Sequence, residues 1–190
     1  QHKLMLLMRF ANEFEEATVP DPYYGGPEGF GKVLDYIEIA KKDGATLLLG
    51  GSPGKAPGCE KGWFVEPTIF GDVKNTMRIA QEEVFGPVLS IIKFKDEDDA
   101  VRIANDIRFG LAAAAWTKDI GRAIRMSEKL KAGTIWINTY RAISYMAPFG
   151  GYKDSGLGRE NGQDAIKEFL QVKSVWINSG AVSGNPFVMR

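Results

Sequence analysis

The chain has 190 residues, of which 44% are hydrophobic and 25% charged, enough for one globular core or at most two small ones. Basic and acidic residues both total 24, so there is no basic excess to meet nucleic acid or an anionic membrane, and neither is expected as a partner. No apolar stretch approaches the roughly 18 residues of a membrane span, and the single cysteine excludes an internal disulfide and suits a reducing compartment, making the cytoplasm the expected setting.

Taken in chain order, Leu4, Leu7, Met8, Ala11 and Phe14 recur at helical spacing and predict an amphipathic helix. The breakers of Pro20-Asp21-Pro22-Tyr23-Tyr24-Gly25-Gly26-Pro27 predict a loop. Phe30, Val33, Leu34 and Ile37 mark a second helix, stopped by Gly44. Residues 45–49 read as a strand and 50–62 as a loop, while Pro67 places the extended run 64–70 at an edge or a bend. The turn Gly86-Pro87 precedes an apolar strand over 88–94. Asp96 is a good N-cap, Glu97-Asp98-Asp99 suit the positive end of a helix dipole, and Ala100, Ile103, Ala104 and Ile107 form one apolar face ended by Gly110. Residues 111–116 read as a buried strand. Asp119 caps the next helix, with Ile120, Ala123, Ile124 and Leu130 inward and Gly133 as its stop. A strand over 134–138, a glycine-rich segment over 140–162, a short helix over 164–170 and a last strand over 172–178 complete the pattern. Strands alternating with helices predict an α/β fold, a mostly parallel sheet flanked by helices.

Several stretches invite chemistry. Glu82-Glu83-Val84-Phe85-Gly86-Pro87 puts carboxylates and an aromatic at a turn before a strand, where a carboxylate can accept two ribose hydroxyls; it is equally an acidic loop. Gly156-x-Gly158 lacks the third glycine of a dinucleotide fingerprint, since Asn161 stands there, and Ser155 lacks a nucleophile-elbow context. Arg159-Glu160 could be an interface ion pair or a buried charge relay. Gly51-Ser52-Pro53-Gly54-Lys55 has the wrong spacing for a P-loop. Cys59 sits beside Glu60, and the one histidine, His2, lies at the terminus, so Cys59 is not expected to be a nucleophile. One cysteine and one histidine cannot make a zinc shell, and no metal site is expected.

Two motifs together carry a resemblance. Glu82-Glu83-Val84-Phe85-Gly86-Pro87, followed by Pro148-Phe149-Gly150-Gly151-Tyr152-Lys153-x-Ser155-Gly156-x-Gly158-Arg159-Glu160, closely resembles the NAD(P)-dependent aldehyde dehydrogenase superfamily. Phe109-Gly110-Leu111-Ala112-Ala113, Ala132-Gly133-Thr134-Ile135-Trp136-Ile137-Asn138, Gly62-Trp63-Phe64-Val65-Glu66-Pro67-Thr68 and Val172-Lys173-Ser174-Val175 fit as well. The likeness runs from about residue 33 to residue 177, and the stretch 17–31 looks shorter than the family's usual connection.

The resemblance implies that Glu83 accepts hydrogen bonds from the nicotinamide-side ribose, that Phe85 packs beside that ribose and ring, and that Leu111 sits near the nicotinamide. It implies that 140–149 lines the aldehyde tunnel, with Ile143 and Phe149 as apolar contacts and Thr139, Arg141 and Ser144 as polar ones. Glu160 would belong to a buried polar network. Residues 1–171 would be a C-terminal, catalytic-domain portion, and 172–190 an oligomerisation strand and tail of a homo-oligomer. In this family a cysteine thiolate attacks the aldehyde, hydride passes to NAD or NADP, and water releases the carboxylate. The resemblance places that cysteine, the general base and the dinucleotide domain upstream of this sequence, so the chain alone is expected to be inactive and to bind no cofactor appreciably. The alternative is a non-catalytic subunit-association module derived from the family.

Overall fold

A computed structural model describes residues 7–11 (as strand backbone), 26–55 and 61–180. Its scaffold begins with helix α1, Pro27–Lys42, which has Pro27 in its first turn and Lys41 and Lys42 in its last, as the helix dipole favours. Val33, Ile37 and Ala40 form its buried stripe. Gly44, at φ +91°, turns the chain out of the helix into β2, Thr46–Leu49.

Strands β1 (Leu7–Ala11), β2, β3 (Thr68–Gly71) and β4 (Val88–Ile92) form one sheet in the order β1-β4-β3-β2. Only β3 and β4 run parallel; β1 pairs antiparallel with β4, and β2 antiparallel with β3. The short helix α2, Arg78–Gln81, lies between β3 and β4. The sheet is therefore mixed rather than mostly parallel. The predicted N-terminal helix is replaced, over Leu7–Ala11, by a strand whose five residues pair with the free edge of β4. Cross-strand pairing outweighs a helical spacing read over so short a run. Nor is β3 an edge: it lies between β2 and β4, and it starts just after Pro67, whose missing N–H therefore costs no ladder bond.

Phe70 is fully buried in β3 and packs in a cluster with Ile37 and Ala40 of α1, Val88 and Ile92 of β4, Ile79 and Ala80 of α2, and Val84. Thr68 is buried with its hydroxyl satisfied twice: Oγ1 donates to the Glu66 carbonyl at 2.8 Å and accepts from Gly51 N–H at 2.9 Å.

The second half builds two smaller sheets. Helix α3, Glu97–Asn105, starts at Asp96, whose carboxylate accepts from Asp99 N–H. It ends at Asn105, earlier than Gly110. Asn105 spends its side chain on Lys129 O and Lys131 N–H, while Lys153 Nζ donates to the carbonyls of Asn105 and Ile107. Gly110 instead lies in β5, Phe109–Gly110, which pairs antiparallel with β8, Tyr152–Lys153. Strand β6 (Ala112–Ala115), helix α4 (Ile120–Lys129) and strand β7 (Thr134–Ile137) make a β-α-β unit with parallel strands. Asp119 caps α4 by accepting from Arg122 N–H.

The buried face of α4 is Ala123 and Met126, with Leu130 beyond the helix end. Ala123 and Leu130 are buried as predicted, whereas Ile120 and Ile124 are exposed and Met126 fills the buried face instead. The strand predicted buried over 111–116 buries only Ala115 fully, because a two-stranded sheet offers little cover for Leu111 and Trp116. The predicted helix near 164–170 is a 3-10 helix, Gln163–Phe169. The last strand predicted over 172–178 is not found: the segment is exposed, forms no regular element and pairs with nothing among the described residues. No described helix is long and apolar enough to cross a membrane.

Gly133 lies against the glycine-rich segment so closely that an added Cβ would run into the Gly150 carbonyl oxygen. The obstacle is main chain and cannot rotate away. Gly133→Ala is expected to destabilise the fold by about 3 kcal/mol or more, as overpacking that shifts backbone does, measured as a lowered urea midpoint at unchanged slope.

Candidate functional site

The acidic turn is built from both sides. On its N-terminal side α2 is held to α1: Asp43 Oδ2 accepts from Arg78 N–H at 3.3 Å. Glu82 closes α2, and its carboxylate accepts from Arg78 Nε and Nη2 at 3.0 and 2.8 Å and from the Tyr36 hydroxyl at 2.6 Å. Val84 is buried in the main core. Gly86 lies against α1, where an added Cβ would stand 2.5 Å from Val33 Cγ2. Pro87 O accepts from Thr68 N–H and so ties the turn to β3.

This leaves Glu83 and Phe85 as the residues the turn presents. Glu83 is exposed and has no hydrogen-bond or ion-pair partner among the described residues. Phe85 is half-buried, with Lys32 Nζ 5.4 Å from its ring centroid. Its φ is +55°, a left-handed conformation that an aromatic residue adopts only under constraint.

The two neighbouring glutamates thus differ sharply. The Arg78 guanidinium first, and the Tyr36 hydroxyl second, hold the Glu82 carboxyl down to about 2 from its ordinary 4.5. The same hydrogen bond pushes the Tyr36 hydroxyl up, and Arg78 is raised by Glu82. Glu82 is a structural anion, and Glu83 is the one free to accept new donors.

The glycine-rich segment forms a second site, a cleft of about 540 Å³. Leu111, Phe149, Arg159, Glu160, Glu168 and Phe169 are among the residues on its wall. Its floor is main chain at close approach: Ser155 Oγ accepts from Gly110 N–H at 2.9 Å, which gives that hydroxyl a structural task. Arg159 Nη1 donates to the carbonyls of Gly151 and Gly158, bracing the loop from within rather than pairing with Glu160. Phe149 and Glu160 exchange two main-chain hydrogen bonds of 2.7 Å. The Glu160 side chain is exposed and lines the cleft; no described element packs over it to bury it, and it has no partner among the described residues.

Ile143 is exposed on the preceding loop. That loop is anchored at its start by Asn138, whose side chain both donates to Thr117 O and accepts from Thr117 N–H, and by Trp136 Nε1, which donates to Ala142 O. The structure therefore groups Leu111, Phe149 and Glu160 in one cleft and Glu83 with Phe85 in another place. A bridge joins the two regions: Gln81 Nε2 donates to the carbonyls of Asn75 and Asp106, and the chain beyond Asp106 leads to β5 and the cleft. Cys59 and His2 lie outside the described residues. Among the described residues, no three His, Cys, Asp or Glu side chains converge to hold a metal ion. Tyr36 and Lys32 were missed by sequence reasoning. Arg78 and Glu82 were readable as an i, i+4 helix pair, but nothing local points to a tyrosine 46 residues earlier.

A family model described as the aldehyde dehydrogenase family matches residues 7–175. The chain belongs to the aldehyde dehydrogenase family. The match begins well before residue 33, where the motif resemblance begins, and includes β1. Betaine aldehyde dehydrogenase of Brucella melitensis is 47% identical over 175 residues, which are 92% of this chain and 36% of that protein. The crystal structure of Staphylococcus aureus betaine aldehyde dehydrogenase with NAD+ is 41% identical, with a TM-score of 0.80 over 86% of this chain and 33% of that one. An aldehyde dehydrogenase of Mycobacterium tuberculosis, also complexed with NAD+, is 45% identical, with a TM-score of 0.74 over 83% of this chain and 32% of that one. This aldehyde dehydrogenase family chain spans about a third of the length of the relatives it matches.

The depressed carboxyl sets a pH window. The Glu82 clamp contributes its stability in full above about pH 4.5 and loses it as pH falls toward about 2, where the folded-state carboxyl takes up its proton. Glu82→Gln is expected to lower the urea midpoint by a constant amount near neutral pH, with the gap from wild type closing as pH approaches about 2.

Proposed function

We propose that this chain is part of an NAD-dependent aldehyde dehydrogenase that oxidises an aldehyde to its carboxylate. The observation that carries the reading is the pair of presented residues at 83 and 85. One carboxylate is fully used by Arg78 and Tyr36, and the next is left exposed and unpaired beside an aromatic ring held at positive φ. A vicinal diol is the natural occupant of such a carboxylate, since one oxygen can accept from each hydroxyl. The family supports the chemistry, and relatives with NAD+ bound support the choice of NAD over NADP.

In this reading Glu83 holds the nicotinamide-side ribose, Phe85 packs beside it, and Leu111 limits the space from the cleft side. NAD+, when bound, accepts hydride from the substrate carbon. Ile143 and Phe149 supply apolar contacts to the aldehyde, and Glu160 supplies a polar group at the cleft wall. In this reading Cys59, which stands beside Glu60 in the sequence, is not the nucleophile, and the attacking thiolate comes from another part of a longer protein. Relatives named betaine aldehyde dehydrogenase make a quaternary-ammonium aldehyde the first substrate to assay.

Glu83→Gln in the full-length enzyme is expected to raise KM for NAD+ about tenfold, as loss of hydrogen bonds to a charged acceptor does, with KM for the aldehyde unchanged. An unaltered KM for NAD+ would remove Glu83 from the site. The isolated 190-residue chain is expected to form no NADH from aldehyde and NAD+; turnover by it would defeat the assignment of the nucleophile to another part of the protein.

The exposed segment supports a further reading. Val172, Val175, Trp176 and Ile177 are large apolar residues left exposed close together in the chain, which suits a segment that is covered across subunits of a homo-oligomer. Val175→Lys with Trp176→Lys is expected to shift the full-length enzyme toward monomer in sedimentation velocity.

A further inference from the structure

We propose that Tyr36, Arg78 and Glu82 form a positioning cluster that fixes the orientation of the Glu83 carboxylate toward the cofactor ribose. The inference rests on the reading of Glu83 given above. Residues 82, 83 and 84 are consecutive, and two of the three are anchored. Glu82 has an extended backbone at φ −113° and ψ 152°, its N–H still donates to Arg78 O, and its carboxylate is gripped by Arg78 and Tyr36. Val84 is locked into the main core. Residue 83 is thereby flanked on both sides by anchored residues.

An ordinary exposed Arg–Glu helix pair contributes little to anything, and Arg78–Glu82 alone would be one. Tyr36 changes that. It comes from α1, whose Val33 already touches Gly86 on the far side of the turn, so α1 holds the turn at both ends. The Tyr36 ring lies under the Arg78 guanidinium at 5.6 Å, and the Lys32 ammonium that stands over Phe85 is 5.8 Å from it. Glu82 thus adjoins Glu83 in the chain, Lys32 links the Tyr36 ring to Phe85, and none of the three cluster residues lines the cleft. These are positioning residues, not catalytic ones.

A double-mutant cycle in the full-length dehydrogenase separates positioning from plain stability. Tyr36→Phe keeps the ring and removes the hydroxyl; Arg78→Lys keeps the charge but cannot span both carboxylate oxygens. Each is expected to raise KM for NAD+ about three- to tenfold, with the effect falling on that KM rather than on kcat or on KM for the aldehyde. In a Glu83→Gln background, Tyr36→Phe is expected to change KM for NAD+ no further, although it lowers the melting temperature in both backgrounds alike. The proposal is overturned if both single variants keep the wild-type KM for NAD+, or if Tyr36→Phe raises it by the same factor whether or not Glu83 is present. If Glu83→Gln itself leaves KM for NAD+ unchanged, the reading of Glu83 fails first and the cluster loses its role with it, an outcome distinct from the other two.

Discussion

At Gly86 the main chain passes so close to Val33 of α1 that no side chain fits between them. Much of the first half of the molecule follows from that contact. Beside it, the buried stripe of α1 packs in one cluster with Phe70 of β3 and Val88 and Ile92 of β4. The contact at Gly86 fixes where the chain leaves α2 and where β4 begins, so the acidic turn has one geometry rather than several. Close-packed interiors transmit such constraints because their side chains have nowhere else to go.

Within that frame, two adjacent glutamates acquire different roles without differing in chemistry. Glu82 meets a planar guanidinium and a phenol and becomes a fixed structural anion. Glu83, one residue on, meets solvent. The glycine-rich loop shows a parallel division: Arg159 is spent on carbonyls of its own loop, while Glu160 beside it contributes main chain to a bridge and leaves its carboxylate at the cleft wall. In both places the residue that looks most reactive in the sequence has a neighbour that does the structural work.

Local chemistry was legible in the sequence and distant chemistry was not. Asp96 and Asp119 cap helices as read, because an N-cap needs only its own next three residues. The turn at Gly86-Pro87 and the strand after it were equally plain. The strand at Leu7–Ala11 was not, since its partner is β4, far away in sequence. The face of α4 was legible at Ala123 and Leu130 but not at Ile120 and Ile124, because these are as apolar as Met126 and only the position of β7 decides between them. At the site, both motifs were visible, but the sorting of Glu82 from Glu83 depends on Tyr36, and no spacing rule connects positions 36 and 82.

Phe85 has one more implication. A left-handed backbone is easy for glycine and uncomfortable for a residue with a ring. Glycine at 85 would relax the main chain, yet it would erase the aromatic face beside Lys32. Main-chain comfort and the aromatic face thus pull in opposite directions at this single position.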